Sequence, residues 1–389
     1  TVWGIATAVV GSATTLPVVL LARMMNGVGL GLVLPVVYSL VADMAPPKRQ
    51  GAAFGAIYFS SSLGGVLGSL MATSLGGSTI AGIEGWRFTF YVVAAVSVAL
   101  GCAIGALGRA PKGAVKREEE DASQSAHAHA ADVCLPLRVK SLALILAQGA
   151  VGTMPWYSIG FLAMWLALSG SPHQVAAMVR LAFDIGTPLS ALLGGSLNDE
   201  FSKRYPRHGR VFLAQLSVAS AIPTICIVLL GMRGAEPGAV AAVLFCMGLF
   251  CNWNGGINAT IMADVSPARL RTTIYGVDRA LEGIVAPAGA AFVGMLAEHA
   301  FGFESASSCG GGEEGIVDQQ NADALGSALA TMMAVPWTIC FFAYLALHST
   351  FAKDRETARL ADRERSILGR PTVMRDANLT VVDVELADA

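Results

Sequence analysis

Ten apolar stretches, separated by polar loops, recur along the 389-residue chain. A helix that crosses a membrane needs about 20 mostly apolar residues, and every stretch except the first reaches that length. The pattern therefore predicts an all-α polytopic membrane protein with about ten transmembrane helices. Their approximate bounds are 1–15, 18–43, 52–76, 87–108, 141–169, 174–197, 211–232, 238–264, 273–298 and 325–350.

Composition excludes the main soluble classes. Hydrophobic residues make up 54% of the chain and charged residues only 14%, against roughly 45–50% and about 25% in an average soluble domain. So few charges cannot cover the surface of a globular protein of this length. The formal net charge of −2 also argues against a nucleic-acid partner, which needs a concentrated basic face.

Lysine and arginine are distributed unevenly between the two sides of the predicted helices. If the start of the first span faces the cytoplasm, 21 of the 26 basic residues fall in the cytoplasmic loops and the C-terminal tail. The opposite loops hold only Arg87 and Arg233. By the positive-inside rule this distribution fixes the orientation. It places a linker over 109–138 and a disordered tail over 353–389 in the cytoplasm.

No metal or cofactor is predicted. His127 and His129 lie in the charged linker, without the third and fourth ligands that zinc requires. The seven cysteines show no C-x-x-C spacing, and five of them lie in apolar runs, where cysteine behaves as a small buried hydrophobe.

Two loops of the same predicted side resemble each other. DMAPPKR begins at Asp43 and DVSPARLR at Asp264, and in both cases an aromatic residue and a glycine follow eleven and twelve positions after the aspartate. Six spans separate the copies, so the repeats run parallel, as in one class of secondary transporters. Six spans per repeat require two further helices before Thr1, and we expect the chain to start inside a helix.

Two motifs resemble those of the major facilitator superfamily. LARMMNGVG from Leu21, followed by Pro35 and the Asp43 loop, resembles its fourth helix and the loop after it. GSLNDEFSKRYPRHGR from Gly195 is similar to its G-x-L-x-D…R/K signature. The resemblance covers 1–352 and is strongest to a poorly characterised plant and algal group, loosely spinster-like.

The resemblance implies a bundle of six plus six helices whose first two helices are absent. Residues 1–108 would form the remainder of the N-terminal bundle, with about four helices, and 139–352 the C-terminal bundle. It also implies a monomeric integral membrane protein that moves a solute by alternating access. The membrane in which it resides is not predicted.

Charged residues at the cytoplasmic helix ends are candidates for a gate. A carboxylate there can pair with loop arginines or with the positive N-terminus of a neighbouring helix, and such pairs can break when the inner side opens. The alternative is a positive-inside loop with incidental carboxylates. The candidates are Gly195, Leu197, Asp199, Lys203, Arg204, Gly209, Arg210, Asp43, Arg49, Asp264, Arg269 and Arg271.

Polar residues inside the spans are candidates for solute contact, because burying them in a membrane is costly. Asn254 and Asn258 share a helix face, although amide bonding between helices would also explain them. Pro155 predicts a kink or break beside two aromatic residues. The candidates are Arg23, Asn26, Gln148, Trp156, Tyr157, Asn252, Asn254 and Asn258.

Three acidic residues in the spans could couple an ion. Asp278 and Glu282 lie four apart near a helix start, where the helix dipole alone would also favour them. Asp184 lies four residues after Arg180, and the two could simply neutralise each other.

The sequence thus predicts a secondary active or facilitative transporter of a small organic or lipid-like solute, with the lipid bilayer and possible protons as its other partners. An enzyme is not expected, since no HExxH, GxSxG or intramembrane histidine cluster is present. The alternative is a receptor or scaffold on a transporter fold that moves nothing.

Overall fold

The computed structural model describes residues 1–108, 138–304 and 314–368. These residues are almost entirely helical, because a backbone in lipid must satisfy its hydrogen bonds within each segment. The linker residues 109–137, with His127 and His129, and residues 369–389 lie outside the described part. The helices are α1 Val2–Ser12, α2 Leu16–Met44, α3 Gln50–Leu75, α4 Gly85–Leu107, α5 Lys140–Gly152, α6 Met154–Ser158, α7 Leu162–Leu168, α8 His173–Arg204, α9 Gly209–Cys226, α10 Pro237–Cys251, α11 Trp253–Val265, α12 Arg271–Val285, α13 Ala288–His299 and α14 Glu314–Leu368.

Nine segments of the described chain are long and apolar enough to cross a membrane, and α1 is a shorter apolar helix. The predicted all-α polytopic fold is confirmed. Three spans are each built from consecutive helices that are interrupted near Thr153, Asn252 and Pro287. The predicted break at Pro155 is therefore present one to two residues earlier, and a short 3-10 turn, Ile159–Phe161, follows it.

Two short strands join α3 to α4. Strands β1 (Thr79–Ile80) and β2 (Ile83–Glu84) pair antiparallel, with Thr79 opposite Glu84. The turn between them contains Gly82 at a φ of 79°, in the left-handed region that glycine tolerates best.

The two halves of the chain meet where α3 packs against α8. Their backbones approach through glycines: a Cβ on Gly55 would lie 2.6 Å from the carbonyl oxygen of Ala191, and one on Gly195 would lie 2.6 Å from that of Gly51. Small residues let membrane helices pack this closely. The contact fixes the end of α8 beside the start of α3.

The last helix is longer than predicted. The expected span was 325–350, but α14 continues to Leu368, into the segment expected to be a disordered tail. The extension is anchored by tertiary contacts: Asp354 accepts a hydrogen bond from the N–H of Ser141 at 2.9 Å, and Arg355 donates one to the carbonyl of Pro206 at 2.9 Å.

Candidate functional site

The described loops divide between two faces of the bundle. One face, here called the basic face, carries loops 45–49, 205–208 and 266–270. The opposite face carries loops 13–15, 76–84, 169–172 and 232–236. Each face holds a different set of the residues predicted to be functional.

Asp199 joins the two halves at the basic face. Its Oδ1 accepts a hydrogen bond from the N–H of Gly51 at 2.7 Å, and its Oδ2 accepts one from the N–H of Ala52 at 2.8 Å. These donors belong to the first turn of α3, whose N–H groups have no partner within the helix. The positive end of the helix dipole also favours a carboxylate there.

The other expected partners of Asp199 do not contact it among the described residues. Lys203 instead pairs with Glu200 at 3.5 Å, and Arg210 pairs with Asp264 at 3.3 Å. The physical reason is that the start of α3 already satisfies both carboxylate oxygens. Of the two kinds of partner expected for this carboxylate, the structure has the helix N-terminus and not the arginine.

A second connection between the halves is an ion pair. Arg271, at the start of α12, lies 2.6 Å from Asp43, near the end of α2. The same guanidinium also donates to the carbonyl of Ala263 at 3.2 Å. Together with the Asp199 contact, it joins the two halves at two points of the basic face.

Asp264 corresponds to Asp43 in the repeat but does not bridge the halves. Its Oδ2 lies 3.3 Å from Arg210 and 3.3 Å from Arg355, all within the second half. Arg355 was not predicted, because a charge in an expected tail gives no signal of burial. The repeated loops thus have different roles in the two copies.

The remaining gate candidates are more peripheral. Arg49 is exposed just before α3, Leu197 packs at the edge of the core, and Arg204 lies on an open part of the basic face. A Cβ on Gly209 would collide with the carbonyl of Phe201. The side chain of Arg269 lies outside the part that the structure describes.

A polar cleft lies between the halves on the side away from the basic face. Its volume is about 330 Å³. Helix α3 contributes small residues to one wall, while α6, α8 and the break after α10 contribute aromatic and polar residues to the other. The lining comprises Ser62, Gly65, Val66, Ser69, Trp156, Ile159, Arg180, Phe183, Asp184, Thr187 and Asn252.

An ion pair dominates the polar side of this cleft. Arg180 Nη2 lies 3.0 Å from Asp184 Oδ1, and Arg180 Nη1 donates to the carbonyl of Ile159 at 2.6 Å. That carbonyl lies in the short 3-10 turn Ile159–Phe161 and also accepts the backbone N–H of Leu162. The guanidinium also lies 5.6 Å from the centre of the Phe183 ring, a cation–π distance. Both charges are fixed and mutually compensated.

Four predicted contact residues occupy different surroundings. Trp156 and Asn252 line the cleft, and Asn252 donates to the carbonyl of Thr187 at 3.3 Å. Tyr157, next to Trp156, is half exposed and is not part of the lining. Asn254, two residues after Asn252, is buried. Seven cleft residues were not predicted, because they carry no distinctive pattern: Ser62, Gly65, Val66, Ser69, Ile159, Phe183 and Thr187.

The amide of Asn258 links three helices. It donates to Gln148 Oε1 at 3.0 Å and accepts from the hydroxyl of Tyr344 at 2.8 Å. These are the interhelical amide bonds of the alternative interpretation. Gln148 and Asn258 therefore lie inside the second half and not in the cleft lining.

Arg23 and Asn26 lie in a separate cavity of about 280 Å³ among α1, α2, α3 and α4. The guanidinium of Arg23 lies 5.2 Å from the centre of the Phe90 ring. Asn26 Oδ1 accepts a hydrogen bond from Thr7 at 3.4 Å. The structure does not bring these two residues together with the cleft.

A buried charge cluster lies at α12. Arg279 pairs with Asp278 at 2.7 Å and with Glu282 at 2.7 Å. Asp278 is 2% exposed, so it does not serve as an open first-turn acid. Glu282 faces α5, where a Cβ on Gly149 would lie 3.0 Å from Glu282 Oε1. Two carboxylates share one guanidinium, so the cluster would carry one excess negative charge if both acids were ionised.

The family follows from comparison with known proteins. The sequence model of the family described as Major Facilitator Superfamily matches residues 1–290. The chain belongs to this superfamily. It is therefore an integral, multi-pass membrane protein, as its apolar helices also indicate.

Solved superfamily members share the fold. A bacterial homolog of the human lysosomal transporter Spinster, in an inward-facing and occupied conformation, has 22% sequence identity and a TM-score of 0.57, over 91% of this chain and 82% of that one. The proton:xylose symporter XylE has 14% identity and a TM-score of 0.52, over 86% and 77%. Among curated proteins, Multidrug resistance protein 3 of Bacillus subtilis (strain 168) is 30% identical over 92 residues, which cover 23% of this chain and 16% of that protein.

Proposed function

We propose that the protein is a transporter that moves a small organic solute by alternating access. The observation that carries the proposal is an asymmetry between the two faces. Asp199 and Arg271 hold the halves together at the basic face, while a polar cleft lies between the halves away from it. Contacts that close one face, opposite a cleft between the halves, are what a rocking mechanism requires.

The cleft favours a small polar solute with some apolar surface. Its volume of about 330 Å³ is at the lower end of the range of about 300–1,000 Å³ typical of small-molecule sites. Arg180 and Asp184 compensate each other, so the cleft carries no fixed net charge and suits a neutral or zwitterionic molecule. Trp156 and Phe183, with ring centres 6.2 Å apart, supply the apolar surface. A lipid-like solute would need more room than this closed-face conformation provides.

The cluster at α12 supports proton coupling. A charged residue at membrane depth costs about 2.5–3.5 kcal/mol on insertion scales, and here one carboxylate is left without its own cation. A proton taken up by the cluster would neutralise it. Glu282 is the better candidate, because its side chain is 14% exposed and that of Asp278 only 3%.

The charge cluster at α12 is also connected to the closure of the basic face, through a residue of the first half. Tyr58 of α3, in the first half, is an electrostatic neighbour of Arg279 across the interface. Its ring stacks on that of Tyr38 at 5.7 Å. When the halves separate, the surroundings of Arg279 must change. We infer that protonation of the cluster and opening of the basic face are linked.

The direct test is reconstitution of the intact protein in proteoliposomes, followed by mass-spectrometric analysis of a defined metabolite mixture taken up from outside. We expect uptake of at least one polar metabolite and its release by counterflow. Empty liposomes and an Arg180→Gln/Asp184→Asn variant serve as controls. Saturable binding without movement of any metabolite would favour the receptor or scaffold, the alternative on the same fold.

A further inference from the structure

A large cavity on the basic face lies apart from the proposed solute cleft. Its volume is about 970 Å³, and it lies on the outside of the second half, among the end of α8, loop 205–208, the start of α9 and one residue of α14. None of its lining residues belongs to the cleft between the halves. Its occupant therefore does not depend on which solute is transported.

The cavity carries unbalanced positive charge. Arg204 and Arg207 line it, and neither forms an ion pair within residues 1–108, 138–304 and 314–368. The one acid in the lining, Glu200, is already 3.5 Å from Lys203. Two free guanidiniums at the end of a span suit a phosphate group, which arginine binds with paired donors.

A histidine pair adds a third polar group. His348 Nε2 lies 3.2 Å from Gln215 Oε1, which can only accept, so this nitrogen carries the proton. His348 Nδ1 must then accept from His208 Nδ1, 3.2 Å away. Among the described residues this arrangement leaves His208 Nε2 without a partner, and a proton there would add a donor for a phosphate oxygen.

Three further lining residues are aromatic: Phe201, Tyr205 and Phe212. The rings of Phe201 and Phe212 stack with their centres 6.3 Å apart and an interplanar angle of 12°. Phe212 and Tyr205 are 48% and 54% exposed. Half-exposed aromatic rings at the end of a span are typical of the membrane–water interface.

Apolar surface continues from the cavity toward the middle of the membrane. Leu216, one turn after Phe212, and Leu345, one turn before His348, are both exposed. Gln215 holds α9 and α14 side by side through the carbonyl of Phe341 at 3.5 Å. A free phosphate would contact only the polar end of this surface, whereas an acyl chain could follow all of it.

We propose that this cavity binds an anionic phospholipid of the leaflet at the basic face. The phosphate lies between Arg204 and Arg207 beside His208, and an acyl chain follows Phe212 and Leu216 along the span. Basic pockets between membrane helices are suited to anionic head groups, and the charge and the apolar surface of this pocket match such a lipid together.

Native mass spectrometry of the purified protein tests the proposal, with added dioleoylphosphatidylglycerol or dioleoylphosphatidylcholine. We expect the anionic lipid to bind more tightly by about tenfold or more, from two charge-assisted contacts. Arg204→Gln/Arg207→Gln should remove that preference. The matched control Lys48→Gln/Arg359→Gln removes two exposed charges elsewhere and should retain it.

Further variants keep the test decisive. Arg207→Gln alone, in an exposed loop, should lower the preference for the anionic lipid severalfold without risk to folding. Phe212→Ala should weaken the binding of both lipids. Soluble glycerol phosphate at the same concentration should not displace the lipid. Equal binding of the two lipids, an equal loss in the control variant, or displacement by glycerol phosphate would overturn the proposal.

Discussion

The carboxylate of Asp199, on α8, accepts hydrogen bonds from the backbone N–H groups of Gly51 and Ala52, at 2.7 and 2.8 Å, and so caps α3 of the other half. Both oxygens of a carboxylate accept hydrogen bonds. An asparagine side chain has only one acceptor oxygen, and its NH₂ group can only donate. Capping bonds to a charged group are also the stronger kind. We therefore expect the contact between the halves to need a carboxylate at this position and not merely a polar group.

Asp199→Asn should shift the protein toward an open basic face. Leaving one N–H without an acceptor costs about 1–3 kcal/mol, all of it in the closed state. Spin labels at Lys48→Cys and Tyr205→Cys, in a background without the native cysteines, would report the distance between the halves. We expect a longer distance in Asp199→Asn. Glu200→Gln, whose side chain is exposed, should leave the distance unchanged, and an equal response of both variants would contradict the capping role.

Gly55→Ala should weaken the same contact by steric means. The added Cβ would lie 2.6 Å from the carbonyl oxygen of Ala191, a backbone atom that cannot move alone. Overpacking of this kind costs about 1–3 kcal/mol. Thermal unfolding in detergent should show a lowered midpoint. The control is Gly64→Ala on the same helix, where an added Cβ would meet no atom within 4 Å. A similar unfolding midpoint in the two variants would show that the tight packing at Gly55 does not stabilise the protein.

The spans were predictable because a run of twenty apolar residues has few alternatives to a membrane helix. Where the prediction failed, the cause was a tertiary contact. The expected end at 350 ignored the polar continuation of α14, which Asp354 and Arg355 tie to Ser141 and Pro206. Hydropathy cannot register contacts between residues that are far apart in the sequence.

The site was predictable only in part, for a related reason. The motif pointed to Asp199, but its partners are backbone N–H groups, which leave no mark on the sequence. Conversely, Asn258 is of a residue type expected for a solute contact, yet its hydrogen bonds to Gln148 and Tyr344 keep it inside the bundle. Residue type indicates the need for a partner, and only the fold determines which partner is present.

Arg180 and Asp184 should respond to mutation as a pair. Arg180→Gln or Asp184→Asn alone leaves an uncompensated charge in a membrane span, which is destabilising. The double variant removes both charges and should recover folding, seen as a monodisperse protein in detergent. It should not recover uptake from the metabolite mixture, because the polar wall of the cleft is lost. Normal uptake in the double variant would place the solute elsewhere.

Glu282→Gln should uncouple transport from protons while preserving the fold. The amide mimics the protonated acid, and Arg279 keeps Asp278, 2.7 Å away, as its partner, so the cluster becomes permanently neutral. In proteoliposomes with a pH-sensitive dye inside, we expect solute-driven proton movement in the wild type and none in the variant, while solute counterflow continues. Glu298→Gln, an exposed acid at the end of α13, should behave as the wild type. Proton movement that persists in Glu282→Gln would exclude this carboxylate as the coupling group, because its side chain can no longer bind and release a proton.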